Sequence, residues 1–399
     1  MIEIAIVGKP NVGKSTLFNA LTLAEAPVAN YPFTTIDANI GIGYVRVKCL
    51  CREFNVKDNP KNSFCIDGNR FIPVKIIDTA GLVPDAWRGR GLGNQFLDKI
   101  SKAEALIHVV DASGATDKEG RITKPGDHDP MEDIEFLEKE IIYWVRGILK
   151  KHWDRVLKQF KFKRQEVDDA IYESLSGLKF SKETIKIALN KTAEKFGDLL
   201  KWDDEALYEF TKYLVKLDKP MVIAANKIDL PYAEENIKRM RDAGYDVMPI
   251  SALSEYILKK LSKNSSVKYL PGDSEFVIID SSLDKKFLDA LTIIRKKIFE
   301  KYGGTNVQQL INHVVFDILK YIVVYPVRNP IKLTDADGNV LPDALLVKEG
   351  TTLRELAYLV HSELGDKLAF GINVRNNARL RADYLVRNND VISFVLSGK

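Results

Sequence analysis

The sequence predicts an α/β fold: a doubly wound, mostly parallel sheet, interrupted by a helical insertion and followed by a C-terminal β-grasp module. Three observations carry that expectation. Short apolar runs that end in polar or glycine residues recur at Ile2 to Val7, Val74 to Ile77, Ala105 to Val110, Met221 to Ala225 and Val247 to Ile250. Such runs read as buried parallel strands, and helical stretches between them, beginning with Lys14 to Ala24, give the βα alternation of a doubly wound sheet. The alternation then stops over residues 127–218, and a new β-rich pattern starts at Tyr321.

Each part has its own local signature. In residues 127–218 the chain is highly charged, and Ile134, Leu137, Ile141, Trp144, Val145 and Ile148 recur at helical spacing, an apolar stripe that packs on partner helices. Residues 254–320 hold more helix, including Phe287 to Lys301. The last 80 or so residues run strand, turn at Asp337-Gly338-Asn339, amphipathic helix from Thr352 to Leu364, and strand at Asp390 to Leu396, which suggests a ubiquitin-like module. The expected organisation is therefore a sheet domain over residues 1–126 and 219–319, a helical insertion over 127–218 and a β-grasp domain over 320–399.

With 399 residues, 45% of them hydrophobic and 29% charged, the chain has the composition of a globular protein of more than one domain. No apolar run approaches the roughly 20 residues that span a bilayer, and the alternating Ile2-Glu3-Ile4-Ala5-Ile6-Val7 lacks a secretory signature, so a cytoplasmic location is expected. The formal charge of +4 permits an RNA partner without demanding one, and reading of DNA sequence is not expected. Basic residues from Lys158 to Arg164 suit a solvated helix face better than a phosphate backbone. Cys49, Cys51 and Cys65 lie close together, but a structural zinc site usually needs four Cys or His ligands and no histidine is near. Ordinary thiols or one local disulfide are the preferred readings.

The chemistry is concentrated in a few motifs. Gly8-Lys9-Pro10-Asn11-Val12-Gly13-Lys14-Ser15 satisfies G-x-x-x-x-G-K-S between a strand and a helix, the phosphate-binding loop of P-loop NTPases. Its amides, with Val12, Gly13 and the following Thr16, are expected to cradle phosphates, Lys14 to bridge the β and γ oxygens, and Ser15 to ligate Mg²⁺. Asp78-Thr79-Ala80-Gly81 ends a second strand. Asp78 is expected to hold Mg²⁺ through water and the Gly81 amide to sense the γ-phosphate. Asn226-Lys227-Ile228-Asp229 suits guanine: Asp229 accepts from N1–H and the 2-amino group, Asn226 braces the loop, and the Lys227 stem covers the ring. Ser251, Ala252 and Leu253 can offer a backbone amide to guanine O6. A site built this way rejects adenine strongly, so GTP and GDP are the expected ligands.

Between these motifs, Asn30-Tyr31-Pro32-Phe33-Thr34-Thr35-Ile36-Asp37 is the expected first switch, with Thr35 reaching Mg²⁺ and the γ-phosphate and Thr34 in reserve. Leu82 occupies the place where Ras-like enzymes carry a water-orienting glutamine, so slow intrinsic hydrolysis is expected. Asn11 offers a substitute, holding K⁺ against the phosphates, or it merely stabilises the loop. The glycine-rich stretch Arg88 to Asn94 reads as the mobile part of a second switch.

Taken together, Gly8 to Ser15, Asn30 to Asp37, Asp78-Thr79-Ala80-Gly81-Leu82-Val83 and Gly91-Leu92-Gly93-Asn94-Gln95-Phe96-Leu97 resemble the Obg-related GTPases, especially the YchF subgroup, over most of the chain. The resemblance implies a helical, coiled-coil-like domain inserted before the guanine-reading strand, a C-terminal β-grasp TGS domain, and a translation-associated factor that contacts ribosomes or RNA. Many YchF-like proteins replace the last Asp of the guanine motif by Glu and prefer ATP, whereas this chain keeps Asp229. The expected activity is hydrolysis of GTP to GDP and phosphate. An ATPase of the same fold, or a nucleotide-gated ribosome or RNA binder with incidental hydrolysis, stand as alternatives.

Overall fold

The computed structural model describes residues 1–23, 39–79, 81, 99–163, 166–178, 180–280 and 282–397. Strand β1 (Glu3–Val7) is buried from Ile4 onward and lies in the middle of a sheet with β2 (Ile40–Lys48), β3 (Phe64–Ile66), β4 (Asn69–Asp78), β5 (Ala105–Asp111), β6 (Met221–Asn226) and β7 (Val247–Pro249). The strand order is β2-β4-β1-β5-β6-β7, with β3 paired to β4. The β4, β1, β5, β6 and β7 neighbours run parallel, whereas β2 and β3 run antiparallel to β4 and form an edge. In this register Ile6 faces Asp78, Val7 faces His108 and Asp111 faces Asn226, so the motif residues gather at the carboxyl ends of the parallel strands.

Helix α1 (Lys14–Thr22) leaves the phosphate loop directly, with left-handed Gly13 preceding its first turn. Between β5 and β6 lie α2 (Pro130–Lys163), α3 (Val167–Ser174), α4 (Lys182–Phe196) and α5 (Asp204–Asp218). Pro130 suits the first helical position of α2, and Glu132 and Asp133 complement its positive end. Ser181 caps α4 by accepting from the Thr184 amide, and Asp203 caps α5 by accepting from the Glu205 and Ala206 amides. At 34 residues α2 spans about 50 Å. Its buried Leu137, Ile141, Val145, Leu149 and Val156 pack on Ile171, Ile185 and Phe210 of the shorter helices, and the same core continues to Ala5, Val7 and Leu106 of the sheet. The helical stripe thus serves packing, as expected.

After β6 come α6 (Ala233–Asp242), β7, α7 (Ala252–Lys263), the small pair β8 (Val267–Lys268) and β9 (Val277–Ile278), and α8 (Lys285–Ile294), whose helical path continues through a π-turn to Tyr302. Helix α9 (Val307–Asn312) continues similarly to Ile318. The C-terminal part holds β10 (Tyr321–Val327), β11 (Leu345–Lys348), α10 (Leu353–Val360), α11 (Ser362–Asp366), β12 (Leu368–Asn373), β13 (Arg379–Leu380) and β14 (Asp390–Leu396). Its sheet order is β11-β10-β14-β12-β13, with a central parallel β10–β14 pair between two antiparallel hairpins, the order of a β-grasp. Leu353, Leu356 and Ala357 of α10 cover one face, packing on Val324, Leu368 and Ile392.

One boundary differs from expectation. The helix anticipated from Thr352 to Leu364 is broken at His361, which is extended (φ −164°, ψ 139°) and caps α11 by accepting from the Glu363 amide. The Thr352–Glu355 capping box fixes the other end of α10. Among the described residues no helix is long and apolar enough to cross a membrane.

Candidate nucleotide site

Backbone geometry explains the glycines of the phosphate loop. Gly8 has φ 142° and Gly13 φ 104°, and a Cβ would lie 2.5 Å from the Val109 carbonyl oxygen at the first and 2.3 Å from Asn226 Nδ2 at the second. Only glycine satisfies both the torsion and the space. Gly81 makes a similar close approach, since a Cβ there would meet Pro10 Cγ at 2.8 Å.

The buried Lys14 ammonium donates to the Lys9 carbonyl at 2.8 Å, across the turn of the loop. Burial pushes its pKa down to about 8, opposed by the nearby Asp78 carboxylate. Ser15 Oγ lies 3.3 Å from Asp78 Oδ2. Asp78 Oδ1 is buried and has no hydrogen-bond partner among the described residues, and burial raises the Asp78 pKa against the pull of Lys14 and Ser15. Thr79 Oγ1 donates to the Ile6 carbonyl at 2.7 Å, locking this segment to β1. Thr16 is half-buried in the first turn of α1.

Asn226 joins the two ends of the site. From its buried position its Nδ2 donates to the Val12 carbonyl at 2.9 Å, and its Oδ1 accepts from the Ala252 amide at 3.1 Å. The Ala252 amide is thereby engaged, as is that of Ser251, which donates to the Thr305 carbonyl at 3.0 Å. Of the three residues Ser251 to Leu253, Leu253 at the exposed start of α7 is left with an amide that has no intrahelical partner. Asp229 is half-exposed, and its carboxylate accepts no hydrogen bond from the described residues, while Lys297 holds its backbone carbonyl at 3.2 Å. Thr35, the reserve Thr34, Leu82 and the stretch Arg88 to Asn94 lie outside the described residues.

Several residues missed by motif reading complete the surroundings. Asp111, fully buried at the end of β5, pairs with Lys227 Nζ at 2.8 Å and accepts from Ser113, so the lysine of the guanine motif is anchored from a neighbouring strand. Lys9 Nζ donates to the Thr116 carbonyl at 2.8 Å and sits 2.9 and 2.7 Å from the two oxygens of Asp133 in the first turn of α2, with His128 Nε2 at 2.8 Å from the same carboxylate. Asn11, expected at the site from the motif itself, sits at φ 60° and donates to the Gly120 carbonyl at 2.8 Å, a partner that the motif does not reveal. His108 is fully buried beside the loop, and desolvation pushes its pKa down to about 3, so it is neutral. No local pattern marks these pairs, apart from an acidic residue ending the β5 run.

A glycine-lined loop at a helix N-terminus with a carboxylate beside it, at the carboxyl ends of parallel strands, defines a P-loop nucleotide-binding protein. Comparison with known proteins narrows that class. Residues 3–144 match the family described as 50S ribosome-binding GTPase, and residues 224–329 match the Obg-like GTPase YGR210-like, G4 motif-containing domain. The chain is 47% identical, over the whole of both chains, to an uncharacterised GTP-binding protein of Methanocaldococcus jannaschii. It is 32% identical to the ribosome-binding ATPase YchF of Bacillus subtilis over 71% of this chain and 74% of that one. A crystal structure of a GTP-binding protein from Pyrococcus horikoshii superposes with a TM-score of 0.79 at 40% identity, covering 99% of this chain and 100% of the other. The chain belongs to the Obg-like, YchF-related family of P-loop GTPases.

Proposed function

We propose that this protein is a regulatory switch that binds GTP, hydrolyses it slowly to GDP and phosphate, and works in contact with the ribosome. The observation that carries the reading is Asn226, whose two hydrogen bonds tie the Val12 carbonyl of the phosphate loop to the Ala252 amide. Phosphate cradle and base reader are thus one hydrogen-bonded unit, and Asp229 follows Asn226 by three residues with its carboxylate uncommitted. The M. jannaschii relative is named GTP-binding, in keeping with Asp229. The ribosomal partner is suggested by the matching family, described as ribosome-binding GTPases, and by the B. subtilis relative, a ribosome-binding ATPase.

In this reading the amides from Asn11 to Thr16 hold the phosphates, Lys14 leaves the Lys9 carbonyl to bridge the β and γ oxygens, and Asp229 accepts from guanine N1–H and the 2-amino group. Ser15 Oγ and Asp78, whose buried Oδ1 has no partner among the described residues, form a hard oxygen set that fits Mg²⁺. When bound, the ion neutralises charge developing on the phosphate oxygens. Gly81, pressed against Pro10, offers its amide towards the γ-phosphate, and Thr35 is assigned the switch contact. Asn11 spends its Nδ2 on Gly120, so Oδ1 is the atom left to hold K⁺ against the phosphates.

Titration with GTP, GDP and ATP analogues tests the assignment directly. GTP is expected to bind on the order of 10⁴-fold more tightly than ATP, and Asp229→Asn should shift preference towards xanthine nucleotides. Equal affinity for ATP and GTP would overturn guanine selection and favour the ATPase reading that the B. subtilis name suggests. Turnover should be faster in potassium than in sodium buffer if Asn11 works as assigned. Co-sedimentation with ribosomes should depend on which nucleotide is bound, and an absence of ribosome binding in every nucleotide state would remove that partner.

A further inference from the structure

The three cysteines, read from sequence as thiols or a local disulfide, converge with an aspartate in the fold. Cys49 follows β2, Cys51 lies in the next turn, Asp58 in the loop beyond, and Cys65 in the middle of β3. Their ligand atoms all lie within 4.8 Å of one another, with the Cys51 and Cys65 sulfurs 3.9 Å apart and Cys49 Sγ 3.1 Å from Asp58 Oδ2. We propose that Cys49, Cys51, Cys65 and Asp58 form a closed, four-coordinate Zn²⁺ site that clamps the platform beneath the C-terminal sheet.

The geometry suits this ion. Tetrahedral zinc with thiolate bonds near 2.3 Å and a carboxylate bond near 2.1 Å places its sulfurs about 3.8 Å apart and each sulfur about 3.6 Å from the oxygen. The side chains are within about half an ångström of those separations for the two pairs above. An iron–sulfur cluster spreads its ligands over two or more iron atoms, so some ligand pairs would lie farther apart than the 4.8 Å that holds all four here. A Cys51–Cys65 disulfide would leave Cys49 and Asp58 with no shared purpose. Three soft thiolates select zinc over Mg²⁺ or Ca²⁺. On binding, each protonated thiol releases its proton to water and becomes a ligand.

The surroundings supply what such a centre needs. The Arg70 guanidinium is fully buried and its Nη2 lies 3.0 Å from Asp58 Oδ2, which orients the carboxylate and offsets the doubly negative charge of a zinc held by three thiolates and a carboxylate. Cys49 is 4% exposed and Cys51 9%, so the site is closed to solvent on that side. The loop it would staple carries the contacts to the C-terminal part: Glu53 with Arg375, Lys61 with Asp335, and Asn62 with the Ala344 amide. Arg70 itself reaches the Leu341 carbonyl and the face of Tyr325 on β10. The ten-residue strand β4 separates Arg70, at one end, from Asp78 at the other, so this centre stands about 25–30 Å from the phosphate loop.

Metal analysis of the full chain purified under reducing conditions should find one zinc per chain. Replacement by Co²⁺ should give thiolate-to-metal charge-transfer bands and tetrahedral d–d absorption. Asp58→Ala should weaken zinc retention against a competing chelator by roughly tenfold or more, and Cys51→Ser with Cys65→Ser should abolish it. Retained GDP binding would show that these variants fold; if they do not, the cobalt spectrum of the unaltered chain carries the test. The proposal is overturned if the reduced chain takes up no zinc on reconstitution, if cobalt gives only octahedral, thiolate-free spectra, or if mass spectrometry finds a Cys51–Cys65 disulfide.

Discussion

Replacing Asn226 by alanine removes two hydrogen bonds made by one buried side chain, to the Val12 carbonyl at 2.9 Å and from the Ala252 amide at 3.1 Å. Neither partner gains a substitute from alanine, and a buried polar group left unpaired costs about 1–3 kcal/mol. Two such groups give a penalty of about 3 kcal/mol at the lower half of that range. Because the phosphate loop must hold its shape to bind nucleotide, most of that penalty should appear in affinity, on the order of a hundredfold weaker GDP binding. The assay is titration with a fluorescent GDP analogue, with a thermal melt of the nucleotide-free protein to catch the share expressed as stability. Asp229→Asn, which leaves both Asn226 bonds intact, is the control for the melt. If Asn226→Ala binds GDP within threefold of the unaltered chain and melts at the same temperature, the bracing role is wrong.

Two further outcomes follow from buried charge. Asp133→Ala strands the Lys9 ammonium, whose side chain is 3% exposed, and removes the partner of His128, so the chain should lose about 3–5 kcal/mol in urea unfolding; joint Lys9→Met with Asp133→Leu should recover most of it, and a loss below 1 kcal/mol for the single variant would mean the pair is not holding charge in the interior. Lys14, whose pKa burial lowers from 10.5 to about 8, should regain its proton when phosphates bind. The free form loses that proton as pH rises through about 8, so nucleotide affinity should fall as pH rises between about 8 and 10.5. Calorimetry at pH 8.5 in two buffers of different ionisation enthalpy should detect uptake of about three quarters of a proton per nucleotide. The same uptake by Lys14→Met would refute the assignment.

What could be read from sequence was whatever is encoded over short spans. The phosphate loop announces itself because strand, glycines and helix start are contiguous, and the parallel strands do so because burial on both faces makes them uniformly apolar. Strand β2 was not read. Its Ile40-Gly41-Ile42-Gly43 start carries two glycines that weaken a strand pattern, yet a Cβ at Gly41 would lie 2.4 Å from Thr22 Cγ2 and one at Gly43 2.9 Å from Ile76 Cγ1. Close packing selects glycine there and in doing so erases the β signal. The break at His361 was hidden because the flanking residues keep helical spacing across it. Asp58 drew no attention since a lone aspartate in a polar loop is unremarkable until folding sets it among three cysteines.

The contacts that tie the phosphate motif to the rest of the fold have a common form: positions that the motif leaves open are joined to distant residues. G-x-x-x-x-G-K-S leaves the second and fourth positions open, and Lys9 and Asn11 occupy them. Lys9 bonds Thr116 and Asp133, the latter 124 positions away, and Asn11 bonds Gly120. All three partners lie in the segment that leaves β5 and enters α2, so the invariant positions shape the phosphate cradle while the open ones fasten it to the root of the helical insertion. A shift in that cradle has to strain a buried ion pair or carry the base of a helix about 50 Å long with it. Motif reading treats Lys9 as a spacer because its meaning is set by residues more than a hundred positions downstream, and it assigns Asn11 to the phosphates without revealing the Gly120 contact that fastens this residue to the root of the insertion.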